Sequence, residues 1–364
     1  MQKQGKVINF LKDNIFLTLL LLYIKMLKIN VLIAGSTGYI GIQLVKLLIK
    51  HPNVKIKYLC GKSSVGKNIS KFDSGLKKKK LPKIVKFNKK YLNDVDVVFA
   101  SLPNGEAQII SKILLKKNLL IDLSADFRLE SSKIYKKYYK ISHGAKKKIK
   151  DSIYSIPELT KKKVKNYKII SCPGCYPTSI LIPLIPLLKN NLISSNIVAD
   201  SKSGYSGAGR GVHKKFANKN LYGSLSAYGL AVHRHNSEID QEIDRYYKGK
   251  FKLSFTPHLT PMFRGILTTI YFDIPKGQSL SLIYRKLIKE YKSSKFVKIC
   301  KFNKAISTND VINTNNCLIS VCKSKFSNKG IILSAIDNLI KGGSGQAVQN
   351  FNLYYEFNET LGLK

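Results

Sequence analysis

A glycine-rich turn between an apolar run and a helical pattern constrains the fold of this chain most. Ile29–Ala34 is typical of a buried strand, and the following GSTGYIG segment opens an amphipathic pattern that reaches about Ile49. Glycines at this spacing allow a tight turn and let the backbone approach a pyrophosphate at the helix N-terminus. A plain tight turn is the alternative. We assign the whole turn to dinucleotide binding: Gly35, Ser36, Thr37, Gly38, Tyr39, Ile40 and Gly41.

Strand patterns alternate with helical ones through the first half of the chain. We predict strands over Lys55–Leu59, Val95–Ala100 and Leu119–Leu123, and a strand that ends at Ile170. The Lys-rich segment 77–90 is expected to be an exposed loop with one short strand. This alternation indicates parallel βαβ units, hence an α/β fold with a Rossmann-type doubly wound sheet.

Strand patterns crowd together after Cys175, with two helical patterns among them. This mixture predicts a second α+β domain with a mixed or antiparallel sheet. The expected division is an atypical extension over 1–25, a cofactor domain over 26–170, a catalytic domain over 171–335, and a C-terminal helix over 336–364 that returns to the first domain. The second-half strands are predicted at Ile197–Ser201, Phe251–Phe255, Gly265–Ile274, Leu318–Lys323 and Gly330–Ala335, and the helices at Ser237–Tyr247, Leu280–Tyr291 and Gly345–Phe357.

The net charge of +42 first suggests a nucleic-acid partner. The lysines are scattered, however, and no RNA-recognition or zinc-finger spacing accompanies them, so we predict a solvated surface and no nucleic-acid partner. Only six of the 63 basic residues are arginine. Because the chain otherwise uses Lys, we expect Arg at positions that need a planar guanidinium, which binds carboxylate or phosphate with two hydrogen bonds.

The run SCPGCYPT places Cys175 between a predicted strand and a helical stretch over 179–188. Backbone N–H groups and the helix dipole at such a position favour a thiolate, which is a strong nucleophile toward carbonyl carbon. An inert buried cysteine is the bland alternative. Cys172 and Cys175 also form a CxxC pair, yet no second pair exists, so we expect no metal site and a reducing, cytoplasmic location.

The segment HRHNSEI supplies His233 and His235 as candidate acid/base groups, because an imidazole titrates near neutrality. Spacing does not decide between them, and we favour His235, which directly precedes a helix cap. Two surface histidines are the alternative.

The second strand ends without an acidic residue that would read the ribose 2′-hydroxyl of NAD. Lys62, Ser63 and Ser64 follow it and suit a 2′-phosphate, which favours NADP(H).

Anion recognition has several candidates in Gly- or Pro-rich motifs. Arg210 or Arg264 would hold phosphate or carboxylate, and Arg128 is a substrate ligand or an ion-pair partner of Asp126. Glu158 is either structural or site-shaping, and Gln346 either reaches the nicotinamide or packs its helix. The remaining predicted substrate ligands are Ser203 and Arg234, and the remaining predicted cofactor ligands are Pro103, Ser206, Gly207 and Asn338.

The first 25 residues contain the apolar run Ile15–Ile24, which is too short to span a bilayer. No cleavage site of the small-x-small type follows it. We expect either a mis-assigned start, with Met26 as the initiator, or a disordered tail, and no membrane partner.

Taken together, the motifs resemble the N-acetyl-γ-glutamyl-phosphate reductase family of arginine biosynthesis. The matching segments are GSTGYIG, LSADFRL, YSIPEL, PGCYPT, SGYSGAGR, HRHxxEI, TPMFRGI and DNLIKGGSGQAVQ. The resemblance implies the two-domain fold of aspartate-semialdehyde dehydrogenases, in which the second α+β domain serves substrate binding and dimerisation. It also implies NADP(H), Cys175 as nucleophile, an acyl-phosphate substrate that releases inorganic phosphate, and a cytoplasmic homodimer or homotetramer. Amides at the start of the Cys175 helix are expected to stabilise an oxyanion.

Two departures from the family stand out. A non-cysteine residue is usual at position 172, so a Cys172–Cys175 disulfide could switch activity off under oxidation. Ser-Arg is frequent after the second strand, where this chain has Gly61-Lys62, which weakens or relocates 2′-phosphate recognition. Rival readings are another acyl phosphate such as aspartyl phosphate, a basic nucleic-acid-binding protein, and a redox or zinc module.

Overall fold

Two seven-stranded sheets organise this computed structural model, which describes residues 28–194, 196–210 and 223–363. The predicted extension over 1–25 lies outside the described residues. Each sheet gathers the strands of one half of the chain, as the change of pattern after Cys175 predicts.

The first sheet is wholly parallel, with strand order β3-β2-β1-β4-β5-β7-β6. The predicted doubly wound α/β architecture is therefore confirmed. The short strand in the Lys-rich loop is also present as β3. The elements of this half are β1 (Ile29–Ala34), α1 (Tyr39–Leu48), β2 (Val54–Cys60), β3 (Ile84–Val85), β4 (Val97–Ala100), α2 (Glu106–Ser111), β5 (Leu119–Asp122), α3 (Ser132–Tyr139), β6 (Ser152–Tyr154), α4 (Pro157–Thr160) and β7 (Ile169–Ser171).

The second sheet is mixed, with order β12-β13-β14-β11-β8-β10-β9. The β10–β8 and β12–β13 pairs are parallel and the other pairs are antiparallel. The predicted α+β second domain is confirmed. Its elements are α5 (Cys175–Leu188), β8 (Asn196–Gly204), β9 (Ser226–Ala227), α6 (His235–Tyr246), β10 (Lys252–Thr260), β11 (Ile266–Asp273), α7 (Leu280–Tyr291), β12 (Val297–Ile299), β13 (Cys317–Lys323), β14 (Lys329–Ile336) and α8 (Gly345–Tyr354).

Helix α5 forms the centre of the second core. Every residue after Cys175 in this helix is buried, and the helix packs against α6, α7, β11 and β14. Because the helix is apolar all round, it must be enclosed on all sides. Its enclosure fixes the position of its first residue, Cys175, at the boundary between the two sheets.

The chain ends on the first sheet again. Helix α8 follows a π-helical turn over Ile340–Ser344, and its residues Ala347, Val348 and Phe351 join the core formed by α1 and the first sheet. The turn between β14 and α8 thus connects the two cores. It runs past Cys175, because a Cβ placed on Gly342 would lie 2.6 Å from the Cys175 Cβ.

Candidate active site

The carboxyl ends of four strands of the first sheet, β1, β4, β5 and β7, open into one cavity of about 240 Å³. Parallel strands place their carboxyl ends at the same edge, where α/β proteins bind ligands. The cavity is lined by the glycine turn after β1 (Gly38, Tyr39, Ile40), by Ser101 after β4, by Cys172, Pro173 and Cys175 after β7, and, across from them, by Ser206, Gly207, Arg210, Arg234, His235, Asn338 and Gly342 among others.

Cys175 is the first residue of α5, with Gly174 as an extended N-cap. The predicted start of this helix, at 179, was four residues late. The expected thiolate is also wrong for the free protein, because burial raises the pKa of Cys175 to about 11. The positive charge of Arg128 and the Tyr176 N–H lower this pKa without reversing the effect of burial. A protein group must therefore take the thiol proton before Cys175 can attack a carbonyl carbon.

His235 lies directly against the loop that carries Cys175. A Cβ on Gly174 would come within 2.5 Å of His235 Nε2, so only glycine permits this approach. Burial lowers the pKa of His235 well below its ordinary value, helped by the charges around it. The lowered pKa favours the neutral imidazole over the imidazolium, although the Glu238 carboxylate lies 3.7 Å from the ring. A neutral imidazole can accept a proton.

His233 occupies a different position from His235. Its Nδ1 accepts the backbone N–H of His235 at 3.1 Å, and burial lowers its pKa to about 4. It does not line the cavity of about 240 Å³, whereas His235 does. The geometry thus favours His235 over His233 as the group that exchanges a proton with Cys175.

Glu238 is a site residue that the sequence analysis missed. Its fully buried carboxylate accepts from Arg128 Nη1 at 3.0 Å, from Gly174 N at 2.9 Å and from the Tyr154 hydroxyl at 3.1 Å. It also lies 3.7 Å from His235 Nε2. One carboxylate therefore ties the Cys175 loop, α6 and the β5–α3 connection together. The signal was its place three residues after His235, on the same face of a helix.

Arg128 does not pair with Asp126, so that alternative is wrong. Its guanidinium bonds Glu238 and the Cys172 carbonyl, at 2.8 Å from Nε, while Asp126 accepts from Gly105 N and the Tyr135 hydroxyl. Arg128 still lines the cavity beside Cys175. Its buried positive charge acts on the sulfur even where its donors are occupied.

The other predicted anion ligands divide into two groups. Arg210 lines the cavity and stacks over Tyr39, and the exposed Arg234 lines it as well. Arg264 instead points to Asp337, at 3.1 Å, and to Asn313 and Gln43, outside the cavity. Of the two arginines that the sequence left open, the geometry therefore favours Arg210.

A second cavity, of about 360 Å³, adjoins the cavity of about 240 Å³. The two are called the first chamber (about 240 Å³) and the second chamber (about 360 Å³). Cys175, Gly207, Arg234 and His235 line both chambers. The second one is completed by Tyr176, Ser203, Gly204, Ala208, Tyr228, His233 and Leu259. The predicted substrate ligand Ser203 therefore lies here, and Tyr176, Tyr228 and Leu259 are residues that the sequence analysis did not single out.

Glu158 and Gln346 are placed outside both chambers. Glu158 pairs with the fully buried Lys341 at 2.6 Å, and Gln349 donates to the same carboxylate oxygen. Gln346 donates to the Thr178 hydroxyl at 3.0 Å inside the core. These contacts favour the structural alternative for Glu158 and the packing alternative for Gln346.

A third cavity, of about 530 Å³, follows the glycine turn toward the end of β2. Gly35 has φ of +80°, and a Cβ there would collide with the Ser101 carbonyl at 2.0 Å, so position 35 leaves room for no side chain. The cavity is lined by the predicted ligands Gly35, Thr37, Gly38, Lys62 and Pro103, and by Lys86, Phe87 and Glu106, which the sequence analysis missed. Such a glycine cradle beside two lysines fits an anionic dinucleotide.

The remaining predicted ligands stand as follows. Asn338 accepts from Gly265 N at 2.7 Å and donates to the Ser206 hydroxyl at 3.0 Å, which fixes the turn that carries Ser206 and Gly207. Ser36 donates to the Cys60 carbonyl. Ser64 is buried, and its hydroxyl has no hydrogen-bond partner, while Ser63 is exposed and lines none of the three cavities.

Cys172 is buried and its thiol is free, with a pKa that burial raises to about 12. The Cys172–Cys175 disulfide stays a prediction. Among the described residues, no cluster of His, Cys, Asp or Glu is arranged to hold a metal ion. Within the same residues, no helix combines the length and the apolar character that a bilayer crossing requires.

The comparisons with known proteins agree with this geometry. Residues 30–167 match the semialdehyde dehydrogenase NAD binding domain, and residues 175–338 match the semialdehyde dehydrogenase dimerisation domain. Among solved structures, aspartate semialdehyde dehydrogenase II from Vibrio cholerae superposes with a TM-score of 0.67 at 16% identity, covering 90% of this chain and 98% of that one. The enzyme from Candida albicans, solved with NADP, gives a TM-score of 0.65 at 17% identity and the same coverage. These structures show the fold.

Relatives at higher identity define the family. N-acetyl-gamma-glutamyl-phosphate reductase of Thermoanaerobacter pseudethanolicus is 41% identical over 342 residues, which cover 92% of this chain and 98% of the relative. A probable chloroplastic enzyme of the same name from Arabidopsis thaliana is 38% identical over 336 residues, covering 92% and 84%. The dimerisation domain implies a homo-oligomer. The chain belongs to the N-acetyl-gamma-glutamyl-phosphate reductase family of semialdehyde dehydrogenases.

Proposed function

We infer that this chain catalyses the NADPH-dependent reduction of N-acetyl-L-glutamyl 5-phosphate to N-acetyl-L-glutamate 5-semialdehyde and inorganic phosphate. This is the arginine-biosynthesis reaction of its relatives. The observation that carries the inference is the placement of Cys175 at the first position of α5, in a cavity shared with a buried neutral His235 and with the glycine turn after β1.

The first step requires His235 as a base. Its neutral imidazole accepts the Cys175 proton, and the sulfur attacks the acyl carbon of the substrate. The S–C bond forms and the C–O bond to phosphate breaks, so a thioester on Cys175 and inorganic phosphate result. Arg128 stabilises the transient thiolate through its charge, which lowers the pKa of Cys175 against the effect of burial.

When bound, NADPH supplies the hydride that reduces the thioester carbonyl carbon. The tetrahedral oxyanion that results re-forms its C=O bond as the C–S bond breaks, which releases the aldehyde and a Cys175 thiolate. The thiolate then takes back the proton from His235, which restores the resting thiol. The imidazole of His235 is the group that holds the proton between these steps. Arg210 is the better placed of the two candidate phosphate ligands, since it lines the same cavity as Cys175.

Fewer backbone N–H groups at the start of α5 are available to stabilise an oxyanion than the sequence suggested. The Gly174 N–H already donates to Glu238, Pro177 has none, and the Thr178 N–H bonds the Gly174 carbonyl at 3.0 Å. The Tyr176 N–H bonds the Cys175 sulfur. The Cys175 N–H therefore remains as the candidate donor in the first turn of α5. A single well-oriented amide contributes about 10²-fold to 10³-fold to such a reaction.

Replacing Cys175 by Ser tests the nucleophile. We expect the rate of phosphate-dependent N-acetylglutamate semialdehyde oxidation with NADP⁺ to fall at least about 10³-fold, because the hydroxyl is a far weaker nucleophile. Titration calorimetry should show unchanged NADP⁺ binding. Cys300→Ser, far from both chambers, is the matched control and should keep its activity. A Cys175→Ser protein with substantial turnover would refute the assignment, and faster turnover of aspartate semialdehyde would favour the rival substrate.

NADP(H) is the proposed cofactor because Lys62 and Lys86 line the cavity at the end of β2. Lys62 is 79% exposed and pairs with Glu106 at 2.6 Å, so its charge is partly neutralised before a cofactor binds. We assign the 2′-phosphate to these two lysines. The chain is further proposed to act in the cytoplasm as a homodimer or homotetramer.

Charge reversal of Lys62 tests the cofactor assignment. Lys62→Glu should raise KM for NADPH about 10-fold or more while changing KM for NADH less than about twofold, because only NADPH carries the extra phosphate. Lys67→Glu, on the neighbouring loop and outside this cavity, is the control. Equal changes for both cofactors would mean that Lys62 does not read the 2′-phosphate.

A further inference from the structure

The residues that line the second chamber distinguish this site from one that would bind a free amino acid. We propose that the chamber lined by Tyr176, Ser203, Tyr228 and Leu259 binds the acetamido group of the substrate, and that Tyr228 determines the preference for N-acylated over free amino substrates. This proposal rests on the proposed function, since Cys175 must hold the acyl carbon of the same molecule. It assigns a role to a chamber that the catalytic steps leave unused.

Charge is the first argument. A free α-ammonium would need a carboxylate once it loses water, because an unpaired buried charge is costly. No Asp or Glu is among the described residues that line this chamber, and Arg234 brings a positive charge to its entrance. The nearby Glu238 is fully buried and already bonded to Arg128, Gly174 and Tyr154. A neutral amide meets no such penalty.

Hydrogen-bonding capacity is the second argument. The Tyr176 hydroxyl has one proton and two acceptors within reach, the His258 carbonyl at 3.2 Å and the Tyr228 hydroxyl at 3.1 Å. Either tyrosine can be the donor in the contact between the two hydroxyls. In both arrangements at least one lone pair of the Tyr228 oxygen remains available as an acceptor. An acetamido N–H is a donor of the kind that this oxygen can accept.

Shape is the third argument. Leu259, only 6% exposed, and the rings of Tyr176 and Tyr228 supply apolar surface for the acetyl methyl. Cys175, His235 and Arg234 line both chambers, so one substrate can reach the sulfur with its acyl end and this chamber with its α-substituent. The α-carboxylate then lies within the field of Arg234, which lies over the Tyr139 ring on an otherwise exposed side.

A substrate pair that differs only in the acetamido group provides the test. N-acetyl-L-glutamate 5-semialdehyde and 5-oxopentanoate carry the same aldehyde and carboxylate, and 5-oxopentanoate has hydrogen in place of the acetamido group. For Tyr228→Ala we expect kcat/KM to fall at least about 30-fold on the first and less than about threefold on the second, through lost packing and a lost hydrogen bond. Tyr228→Phe should lose about 3-fold to 10-fold on the first alone.

Tyr284→Ala is the matched control. This tyrosine lies on α7, packs against Phe302 and lines neither chamber. It should leave both values of kcat/KM unchanged. An equal loss on both substrates in Tyr228→Ala would overturn the proposal, since it would mark a purely structural role. Failure of the wild-type protein to oxidise the acetylated substrate would instead refute the proposed function, so the two failures are distinguishable.

Stable inhibitors test the charge argument separately. N-acetyl-L-glutamate, glutarate and L-glutamate differ only in the α-substituent, which is acetamido, hydrogen or ammonium. We expect inhibition constants to rise in that order, with N-acetyl-L-glutamate at least about 10-fold tighter than glutarate. Tighter binding of L-glutamate than of glutarate would show that the chamber does supply a counter-charge, and would overturn the proposal.

Discussion

At the scale of single residues, the proposed chemistry depends on two groups, Cys175 and His235, whose ordinary titration is altered by burial. Burial raises the pKa of the Cys175 thiol to about 11 and lowers that of the His235 imidazole, so both are neutral at pH 7. Proton transfer between them creates an ion pair only during the reaction. In the free protein, Cys175 is therefore expected to be a protonated thiol rather than a reactive thiolate.

Alkylation of Cys175 should report this state. Since the thiolate fraction below a pKa of about 11 grows about 10-fold per pH unit, the rate of carboxamidomethylation at Cys175 should rise log-linearly from about pH 7 to about pH 9. Peptide mass spectrometry measures the rate, with Cys175→Ser as the blank and a small free thiol as the reference. A plateau already reached near pH 7 would mean that the helix N-terminus outweighs burial.

At the scale of elements, α5 keeps its helical form despite two internal prolines. Pro186 lacks an N–H, so the carbonyl of Ile182, four residues earlier, has no donor within the helix. The hydroxyl of Tyr291, the last residue of α7, donates to that carbonyl at 2.5 Å. Helix α7 thus satisfies the group that the proline frees, and it holds in place the helix whose first residue is Cys175.

Removing that hydroxyl should weaken the second domain. Tyr291→Phe leaves the Ile182 carbonyl buried and unpaired, which costs about 1–3 kcal/mol in the free energy of unfolding. Urea denaturation followed by circular dichroism measures it. Tyr284→Phe, on the same helix, is the control and should change the unfolding free energy by less than about 0.5 kcal/mol. Identical midpoints for the two variants would show that the carbonyl finds another partner.

The elements that the sequence predicted are those with a strong local pattern. Local signals are present in the apolar runs of β1, β4 and β11 and in the glycine turn before α1. In each, a few consecutive residues are enough to show a strand pattern or a turn. Strands β6, β9 and β12 span only two or three residues each, too few for a period of two to appear. Their pairing partners, rather than their own residues, make them strands.

Site residues divide in the same way. Cys175 and the two histidines lie in short motifs whose residue types indicate a nucleophile and an acid/base group. The Glu158–Lys341 pair joins positions 183 residues apart, and Glu238 meets Arg128 across 110 residues. Such contacts are set by tertiary packing. The altered pKa values of Cys175 and His235 follow from the same packing, because burial is the largest cause of both shifts. Local sequence could not predict them.

At the scale of the whole molecule, part of one face of the second sheet lacks a covering layer in the described part of the chain, beside the part that Ile306 and Val311 cover. Val198 on β8 and Tyr271 on β11 are directly opposite one another, and each is 45% exposed. Ile331 on β14 continues the row beside Tyr271. An apolar row across central strands is typical of a surface that another protein covers. This sheet belongs to the segment that matches the dimerisation domain.

A second copy of this chain is therefore the expected cover for that face. Val198→Lys and Tyr271→Lys should shift the protein toward the monomer, because each lysine would need to bury its charge in the interface. Sedimentation velocity at several concentrations measures the shift. Ile134→Lys replaces an equally exposed apolar residue on α3 and should keep the wild-type mass. Should both sheet variants also keep the wild-type mass, the subunits must associate through a different surface, and the row across β8, β11 and β14 would be ordinary solvent-facing sheet.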